Sequence, residues 1–432
     1  MKNATLLFIG LAIASVGMAQ TLSPGKLPQK PIVLTGATAH LGNGAVLENA
    51  AIGIANGKIT FVSPLSVIRL NAQEAEIIDV SGKHVYPGFI NPNNTLGITE
   101  VDAVRASNDF AETGIFNPEV RSIIAFNPES RLNYTVRSNG VLITQVTPRN
   151  GRIAGTSSIV HLDGWNWEDA IVLEDDGIHI NWPRRFNRSG WWGEPGPVKA
   201  NEKYAEEVAA LKDFMLRAKA YSEQSNPEMN LKMAACKGLF GGTKRMYLRA
   251  DDAKSITDAV LFAKSVGAAF PVIVGGSESW QVVNLLLEYK VPVILERTHS
   301  LPVGTDDDIK QPFRTPALLH KAGVVFCLNY EGDMEAMGSR NLPFTAGTAV
   351  GYGLPYEEAV SALTGNTAII LGLNDKCGTL TVGKDATLFV STGDALDMRT
   401  NNVERAYIQG RLIDLDDPHK QLYRKYEAKY AK

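Results

Sequence analysis

Apolar strand-like segments alternate with helix-like segments from about residue 88 to residue 345, and this alternation restricts the fold more than any other feature of the chain. Buried-strand patterns stand at 140–144, 245–248, 270–274, 291–295 and 323–328. Segments with helical spacing lie between them, such as 253–266 and 280–289. Repeated strand–helix alternation over about 250 residues is typical of a (β/α)8 TIM barrel. We therefore predict that residues 87–377 form an α/β domain of this type.

The two ends of the chain have a different pattern, with short strands joined by tight turns. In residues 31–86, the pair Asn56-Gly57 separates two apolar runs. Such a pair is the strongest local signal for a β-hairpin, because both turn positions need a positive φ. Residues 378–432 contain further strand patterns, and neither segment alone has enough strands to bury one face of a sheet. We predict that both segments join in one small β-sandwich beside the barrel.

Charge and composition exclude several classes of function. The 432 residues include 43 Lys and Arg against 46 Asp and Glu, a net charge of −3, and no basic stripe runs along the chain. Nucleic-acid binding is therefore not expected. Three cysteines, Cys236, Cys327 and Cys377, stand far apart in sequence. Burial as small hydrophobic residues is favoured for them over a disulfide.

Residues 1–19 have the pattern of a secretory signal peptide. Lys2 precedes an apolar run at 6–14, and Gly17-Met18-Ala19 places small residues at the positions that signal peptidase reads. The apolar run is shorter than the roughly 20 residues needed to span a bilayer. We expect cleavage after Ala19 and a periplasmic or secreted protein that has no membrane anchor.

Four motifs, in order along the chain, resemble those of a known superfamily. They are Gly82–Ile90 (GKHVYPGFI), Arg340–Phe344 (RNLPF), Asn366–Gly372 (NTAIILG) and Gly378–Ala386 (GTLTVGKDA). In these motifs the chain is similar to the amidohydrolase superfamily, and within it to the imidazolonepropionase-like branch. The resemblance implies a metallo-dependent hydrolase-like TIM barrel with a β-sandwich from both chain ends. It also implies hydrolysis of C–N bonds other than peptide bonds, by a hydroxide activated on Zn or another divalent metal.

The residues at the positions of the family's metal ligands are unusual. Where the resemblance implies a His-x-His pair after the first barrel strand, this chain has Asn93 and Thr95. Leu248 and Gly275 stand at two further His positions, and Asn329 stands where an Asp serves as metal ligand and general base. None of these side chains is a good ligand for a divalent metal, and Asn cannot accept a proton from water. We therefore expect no metal site and no cofactor, and we assign the five residues to a substrate pocket.

Another set of residues is a candidate for catalysis without a metal. Glu296 and His299 follow a strand at the end of the barrel where active sites lie, and Asp333 follows Asn329. Paired carboxylates at a barrel mouth can act as general acid and base. A hydrogen-bonded loop residue is an equally good interpretation of His299. His161, on a predicted strand, joins the candidate pocket residues, although a hydrogen-bonded sheet histidine is the simpler interpretation.

Two functions are favoured by these observations, and a hydrolase that uses barrel-mouth carboxylates without a metal is a third possibility. The first is an exported hydrolase of the superfamily with a degenerate metal site. The second is a non-catalytic pseudoenzyme that binds a small molecule in the pocket, or that pairs with an active paralogue in a homo- or hetero-oligomer. The replaced ligand residues favour the pseudoenzyme, whereas the motifs retained around the pocket favour the hydrolase.

Overall fold

The computed structural model describes residues 24–191, 193–302 and 306–431. The predicted signal peptide, residues 1–19, lies outside the described residues. Within the part that is described, no helix is long and apolar enough to cross a membrane.

The described residues form two large sheets and a small hairpin, with helices around the second sheet. The strands are β1 (Ile32–His40), β2 (Val46–Ala55), β3 (Lys58–Pro64), β4 (Glu76–Asp79), β5 (His84–Pro87), β6 (Phe89–Asn94), β7 (Val141–Val146), β8 (Ile153–His161), β9 (Ile171–Asn181), β10 (Phe186–Trp191), β11 (Glu194–Ala200), β12 (Arg245–Ala250), β13 (Pro271–Gly275), β14 (Val293–Leu295), β15 (Phe326–Leu328), β16 (Leu388–Ser391), β17 (Val403–Ile408) and β18 (Arg411–Leu412). The helices are α1 (Arg131–Arg137), α2 (Trp167–Ala170), α3 (Tyr204–Ser222), α4 (Leu231–Gly241), α5 (Ala253–Val266), α6 (Val283–Tyr289), α7 (Gln311–Ala322), α8 (Glu335–Gly338), α9 (Leu342–Gly351), α10 (Tyr356–Leu363), α11 (Gly365–Leu371) and α12 (Pro418–Tyr430).

The first sheet combines strands from both ends of the described chain. Its order is β18-β17-β16-β5-β1-β2-β3, with β4 beside β1. The two ends meet where β5 pairs antiparallel with β16, and Tyr86 lies opposite Phe389. The turn at Asn56 and Gly57 joins β2 to β3 with φ values of 51° and 79°, as its sequence predicts. The sheet has a hydrophobic cluster of its own. Its folding into a two-layered sandwich stays a prediction.

The second sheet has eight strands in the order β6-β7-β8-β9-β12-β13-β14-β15 and forms a nearly closed, TIM-barrel-like structure. β6 and β15 are its two edge strands. A side chain bridges the gap between them, because Asn94 Nδ2, at the end of β6, donates to the Tyr330 carbonyl at 2.8 Å. The polar residues that follow β15 are thereby held against the end of β6.

One strand departs from the predicted (β/α)8 pattern. β8 runs antiparallel to both β7 and β9, whereas the other neighbouring strands of this sheet are parallel. The prediction of eight parallel strands is therefore wrong at β8. The reason is the short loop between β7 and β8, residues 147–152, in which Asn150 and Gly151 have positive φ values of 46° and 74°. A parallel return needs a crossover connection of a dozen or more residues.

Successive residues of the barrel strands face two different cores. On β12, Leu248 packs in the outer cluster with residues of α5, and Tyr247 packs in the inner cluster with Val274 and Cys327. Ile370 of α11 belongs to the same inner cluster. Each fully buried side chain of this size contributes about 1.5–3 kcal/mol. All three cysteines are buried and free, as the sequence predicts.

A buried ion pair connects the barrel to segments from both ends of the described chain. Arg137, at the end of α1, pairs with Asp163 at 3.0 Å, and both side chains are buried. The same guanidinium donates to the carbonyl oxygens of Leu162 at 3.0 Å and of Asp414 at 3.1 Å. Asp163 in turn accepts a hydrogen bond from the Gly25 amide at 3.2 Å. A buried charge that loses its partner is strongly destabilising, so this pair holds three segments together.

Asp163→Asn is expected to lower the free energy of unfolding by about 3 kcal/mol, because the Arg137 charge stays buried without its carboxylate. Denaturant unfolding followed by circular dichroism measures the change. Asp213→Asn is the matched control, because Asp213 pairs with Arg217 at 2.9 Å on the exposed side of α3. Exposed pairs of this kind contribute less than about 1 kcal/mol. Equal effects of the two substitutions would contradict the role of the buried pair.

Candidate functional site

Charged side chains converge at the carboxyl ends of β6, β12, β14 and β15, the end of a TIM barrel where active sites lie. Glu331, just after β15, is 3% exposed and accepts hydrogen bonds from Arg249 on both carboxylate oxygens, at 2.9 and 3.0 Å. The carboxamide of Asn93, on β6, also donates to Glu331. We call this end the barrel mouth. Its polar side chains are Asn93, Arg149, Arg249, Asp251, Glu296, Asn329, Glu331 and Glu335.

Arg249 brings a permanent positive charge to the barrel mouth. Its side chain is 37% exposed, whereas that of its partner Glu331 is buried. The Glu331 carboxylate raises the pKa of Arg249 above the ordinary arginine value, against the opposing effect of burial. The geometry is bidentate, which is the strongest form of a guanidinium–carboxylate contact. The centre of the mouth is therefore occupied by a guanidinium and its carboxylate.

Asn93 adopts a backbone conformation that places its carboxamide between two charges. Its φ is +47°, in the left-handed region that Asn tolerates better than most residues. Its N–H donates to Gln145 Oε1 at 2.8 Å. Arg149 donates to Asn93 Oδ1 at 2.7 Å and to the Asn93 carbonyl at 2.8 Å, and pairs with Glu335 at 2.8 Å. The Asn93 carboxamide therefore bridges the charges of Arg149 and Glu331.

A fully buried polar network lies inside the barrel below these residues. The Asp176 carboxylate accepts hydrogen bonds from Gln145 at 2.8 Å, Ser157 at 2.8 Å and Tyr247 at 2.6 Å. His179 stacks on Tyr247 at 4.4 Å between ring centroids, and its Nε2 lies 2.9 Å from the Ser157 hydroxyl. Burial raises the pKa of Asp176 against these hydrogen bonds, and burial lowers the pKa of His179, which stays neutral. The network fixes Gln145, the residue that holds the left-handed peptide in place.

Two carboxyl groups of the barrel mouth have raised pKa values. Burial raises the pKa of Asp251 to about 6, and the charge of Arg249 opposes this shift. Burial, followed by the charges of Asp251 and Glu331, raises the pKa of Glu296 to about 8. At neutral pH, Asp251 is therefore mainly ionised and Glu296 mainly protonated. Two carboxyl groups with separated pKa values can take the roles of base and acid.

Gly275, at the end of β13, leaves the space that the Asp251 carboxylate occupies. Its φ is +96°, and a Cβ atom there would overlap Asp251 Oδ1. Both the backbone conformation and the close approach therefore require glycine. Asp251 Oδ1 itself is buried and has no hydrogen-bond partner among the described residues.

The side chains at the implied ligand positions do not fit a divalent metal. The Asn93 carboxamide is engaged by two charged groups, and Gly275 has no side chain. Leu248 packs with the surrounding helices, so its assignment to the pocket is wrong by one residue, and Arg249 takes the inward position. No three His, Cys, Asp or Glu side chains in the described ranges form a group that could hold a metal ion. The Arg249 guanidinium also repels a second cation at this place.

Thr95 and Asp333 lie in an open cleft beside the barrel mouth. The cleft has a volume of about 510 Å³ and is also lined by Arg149 and Glu335. Asp333 is exposed there. Glu296 lines a different cleft, on the other side of β14, and no hydrogen bond joins it to Asp333 in the described part of the chain. The predicted catalytic residues are therefore not brought together as one hydrogen-bonded set.

Asn329 and His299 occupy contrasting surroundings. Asn329 is completely buried, and both polar atoms of its side chain lack a partner among the described residues. His299 Nε2 lies 2.7 Å from the Thr348 hydroxyl. Burial, followed by the charge of Arg297, lowers the pKa of His299. His299 is thus a hydrogen-bonded loop residue near Glu296, and Asn329 is the residue that lacks partners.

His161 lies at the opposite end of the barrel from the mouth. It pairs with Ile143 near the start of β7, because β8 runs antiparallel. Its ring is fully buried, with neither nitrogen hydrogen-bonded in the described structure, and burial lowers its pKa to about 4. The prediction that His161 lines the pocket is therefore wrong.

Sequence reasoning missed Arg149, Arg249, Gln145 and Asp176 as parts of the site. Gln145 carried a usable signal, because its amide is strongly polar within a mostly apolar strand. Arg249 carried one too, because it opens a charged run directly at the end of a strand. Asp176 had no comparable signal in a segment of mixed polarity.

Comparisons with known proteins agree with this architecture. The Amidohydrolase family model matches residues 296–413. A 51-residue segment is 45% identical to the imidazolonepropionase of Bacillus cereus, and it spans only 12% of this chain and 12% of that relative.

Solved structures extend the likeness to most of the chain. An amidohydrolase from Thermotoga maritima superposes with a TM-score of 0.75 at 25% identity, over 89% of this chain and 99% of that one. A putative prolidase from Bifidobacterium longum, with a TM-score of 0.51 at 16% identity over 93% and 99% of the two chains, supports the fold alone. The family-model match, the imidazolonepropionase segment and the Thermotoga maritima structure together support an amidohydrolase-superfamily protein.

Proposed function

We propose that the protein is an exported amidohydrolase-superfamily member that binds a small polar ligand at the barrel mouth without the superfamily's divalent metal. The observation that carries this proposal is the Glu331 carboxylate, engaged by Arg249 on both oxygens and by Asn93. A carboxylate occupied in this way has little to offer a metal, and the guanidinium opposes a further cation. Arg249 thus provides the positive charge beside Glu331 that a metal ion would otherwise bring.

Buried polar atoms without partners support a ligand at the barrel mouth. Among the described residues they include both side-chain atoms of Asn329, Asp251 Oδ1, Arg297 Nε and Thr298 Oγ1. All of them follow β12, β14 or β15, at the mouth end of the barrel. Each unsatisfied buried group costs about 1–3 kcal/mol. A polar molecule that offers both donors and acceptors would satisfy them.

The charges of the site indicate the chemistry of this ligand. A guanidinium has five N–H donors, and two of those of Arg249 reach Glu331, so the exposed remainder can bind a carboxylate. The Asn329 carboxamide can both donate to and accept from an amide group. We infer a small molecule that carries a carboxylate and an amide-like group.

The purified mature protein, dialysed without chelator, is expected to contain far less than one equivalent of divalent metal, because no three His, Cys, Asp or Glu side chains of the described residues form a group that could hold one. Mass spectrometry of the metal content measures this. Added Zn²⁺ is expected to cause no hydrolysis of imidazolone propionate or of Xaa-Pro dipeptides. The imidazolonepropionase of Bacillus cereus serves as the control for the activity assay. Stoichiometric metal together with metal-dependent turnover would overturn the proposal.

Succinamate, which has one carboxylate and one carboxamide, is expected to bind at least about tenfold more tightly than the uncharged succinamide, because a charge-assisted hydrogen bond contributes about 1.5–3 kcal/mol. Isothermal titration calorimetry measures both affinities. Arg249→Met should remove the difference, whereas Arg314→Met, at an exposed pair with Asp308, should leave it unchanged. Equal affinities of the two compounds for the native protein would argue against a carboxylate on Arg249.

A second candidate function is metal-free hydrolysis of a C–N bond by the two carboxyl groups of the barrel mouth. The separated pKa values of Asp251 and Glu296 favour it, because they supply an ionised base and a protonated acid at neutral pH. Turnover by this route would reach its maximum between about pH 6 and pH 8 and would be lost in Asp251→Asn and in Glu296→Gln. Activity that does not change between pH 6 and pH 8, or the absence of activity, would exclude this candidate function.

Glu296 is expected to make the native protein less stable as the pH rises. Its folded-state pKa, about 8, lies above the ordinary value of 4.5, so its contribution to stability is complete below pH 4.5 and is lost as the pH rises through 8. Glu296→Gln should therefore be close to the native protein in unfolding free energy at pH 4.5 and exceed it by several kcal/mol at pH 9. Denaturant titrations at the two pH values measure the difference. If the unfolding free energies of the variant and the native protein differ by the same amount at both pH values, the pKa of Glu296 is not raised.

Export and partners rest on the sequence alone. We propose a periplasmic or secreted location from the pattern of residues 1–19, and no nucleic-acid partner from the net charge of −3. Pairing with an active paralogue is the alternative to ligand binding, and co-purification from the native host tests it.

A further inference from the structure

A separate apolar cleft opens at the end of the barrel opposite the mouth. Its volume is about 630 Å³, within the roughly 300–1,000 Å³ typical of ligand pockets. It is lined by the first residues of β12 and β13, the residues before β14 and β15, the end of α6 and part of α11. We call it the basal cleft.

Hydrophobic side chains of the basal cleft are unusually exposed. Phe270, Leu287, Val325 and Ile369 are between 43% and 54% exposed. Exposed apolar side chains that surround a concave surface mark binding sites on soluble proteins. Covering them with an apolar molecule is favourable, because it removes apolar surface from water. The cleft therefore favours a ligand with a hydrophobic body.

All charged side chains that line the basal cleft in the described residues are cations. They are Arg245 and Lys290, and neither has a carboxylate within ion-pair distance in the part of the chain that is described. Arg245 Nε donates to the Ile370 carbonyl at 2.7 Å, and its guanidinium lies 5.8 Å from the centre of the Phe270 ring. The absence of a side chain at Gly372 makes room for this guanidinium. A partly buried guanidinium without a salt bridge among the described residues thus stands in a largely apolar surrounding.

We propose that the basal cleft binds an amphipathic carboxylate, with the carboxylate on Arg245 and the apolar body along Phe270, Leu287 and Ile369. A charged hydrogen bond to the guanidinium orients the head group, and the exposed hydrophobic side chains cover the tail. Lys290 adds a second positive charge to the basal cleft. This site is distinct from the barrel mouth and needs none of its residues.

Decanoate is the probe, and decanol and decyltrimethylammonium are controls with the same chain and a neutral or positive head. Decanoate is expected to bind at least about tenfold more tightly than either control. Isothermal titration calorimetry, at concentrations below those at which the compounds form micelles, measures the affinities. Arg245→Met should weaken the binding of decanoate by about tenfold and change the affinity for decanol by less than about twofold. Added salt should weaken the binding of decanoate and not that of decanol, because salt screens the contact between the carboxylate and the guanidinium.

Leu287→Glu is a second variant, because Arg245 also supports α11 through the Ile370 carbonyl. Leu287 is 43% exposed, so a glutamate is accommodated and places a negative charge in the cleft. Its control is Leu261→Glu, at a leucine of α5 that is 44% exposed and lies outside the cleft. Leu287→Glu should weaken the binding of decanoate, and Leu261→Glu should leave it unchanged.

Equal binding of decanoate and decanol, or equal effects of the two leucine variants, would overturn the proposal. Sedimentation analysis gives a further test. A dimer that dissociates in Leu287→Glu would show that the basal cleft is a surface for self-association and not a ligand site.

Discussion

A buried carboxylate has to be neutralised, and the barrel mouth is arranged around that requirement. Glu331 is almost completely buried, and burial of an unpaired carboxylate costs several kcal/mol. Arg249 supplies the counter-charge from β12, and Asn93 supplies a further donor from β6. The left-handed backbone of Asn93 persists because Gln145 and Arg149 hold its peptide from two sides. Strain of this kind survives only where the surroundings over-determine it.

The residues of the mouth are coupled, so a single substitution by a metal-binding residue would also disturb the neighbouring side chains. Histidine in place of Asn93 would remove the amide that separates Arg149 from Glu331. A side chain in place of Gly275 would collide with the Asp251 carboxylate. Moving Asp251 would in turn change the charge that raises the pKa of Glu296. Substitutions within one such network are not additive.

The sequence predicts the barrel and the superfamily well, because strand–helix alternation and local motifs depend on neighbouring residues. It predicts the site less well for two physical reasons. A one-residue error on a strand moves a side chain to the opposite face, which is why Leu248 was assigned to the position that Arg249 holds. The reversal of β8 moves His161 to the other end of the barrel.

Contacts between distant residues account for the rest of the site. Asn93 and Glu331 are 238 positions apart, and nothing in either local sequence indicates that they meet. The same holds for Asp176, whose three donors come from three different strands. Polarity within a strand identifies a candidate residue, but only the closed sheet identifies its partner.

The two ends of the barrel share one strand, and its charges reach the interior from both sides. Arg245, Tyr247 and Arg249 stand at alternate positions of β12, with Arg245 in the basal cleft and Arg249 in the mouth. Burial raises the pKa of Asp176, and the charge of Arg245 opposes this shift. Burial lowers the pKa of His179, and the charges of Arg149 and Arg249 act in the same direction.

An anion bound on either arginine would offset these effects, because it cancels part of the positive charge that the buried groups experience. The charges at both ends therefore act on the Asp176 network, although its side chains are buried. A coupling of this kind requires no movement of the backbone. The direction of the effect follows from the charges alone. An anion at either end raises the pKa of the interior groups and so favours their protonated form.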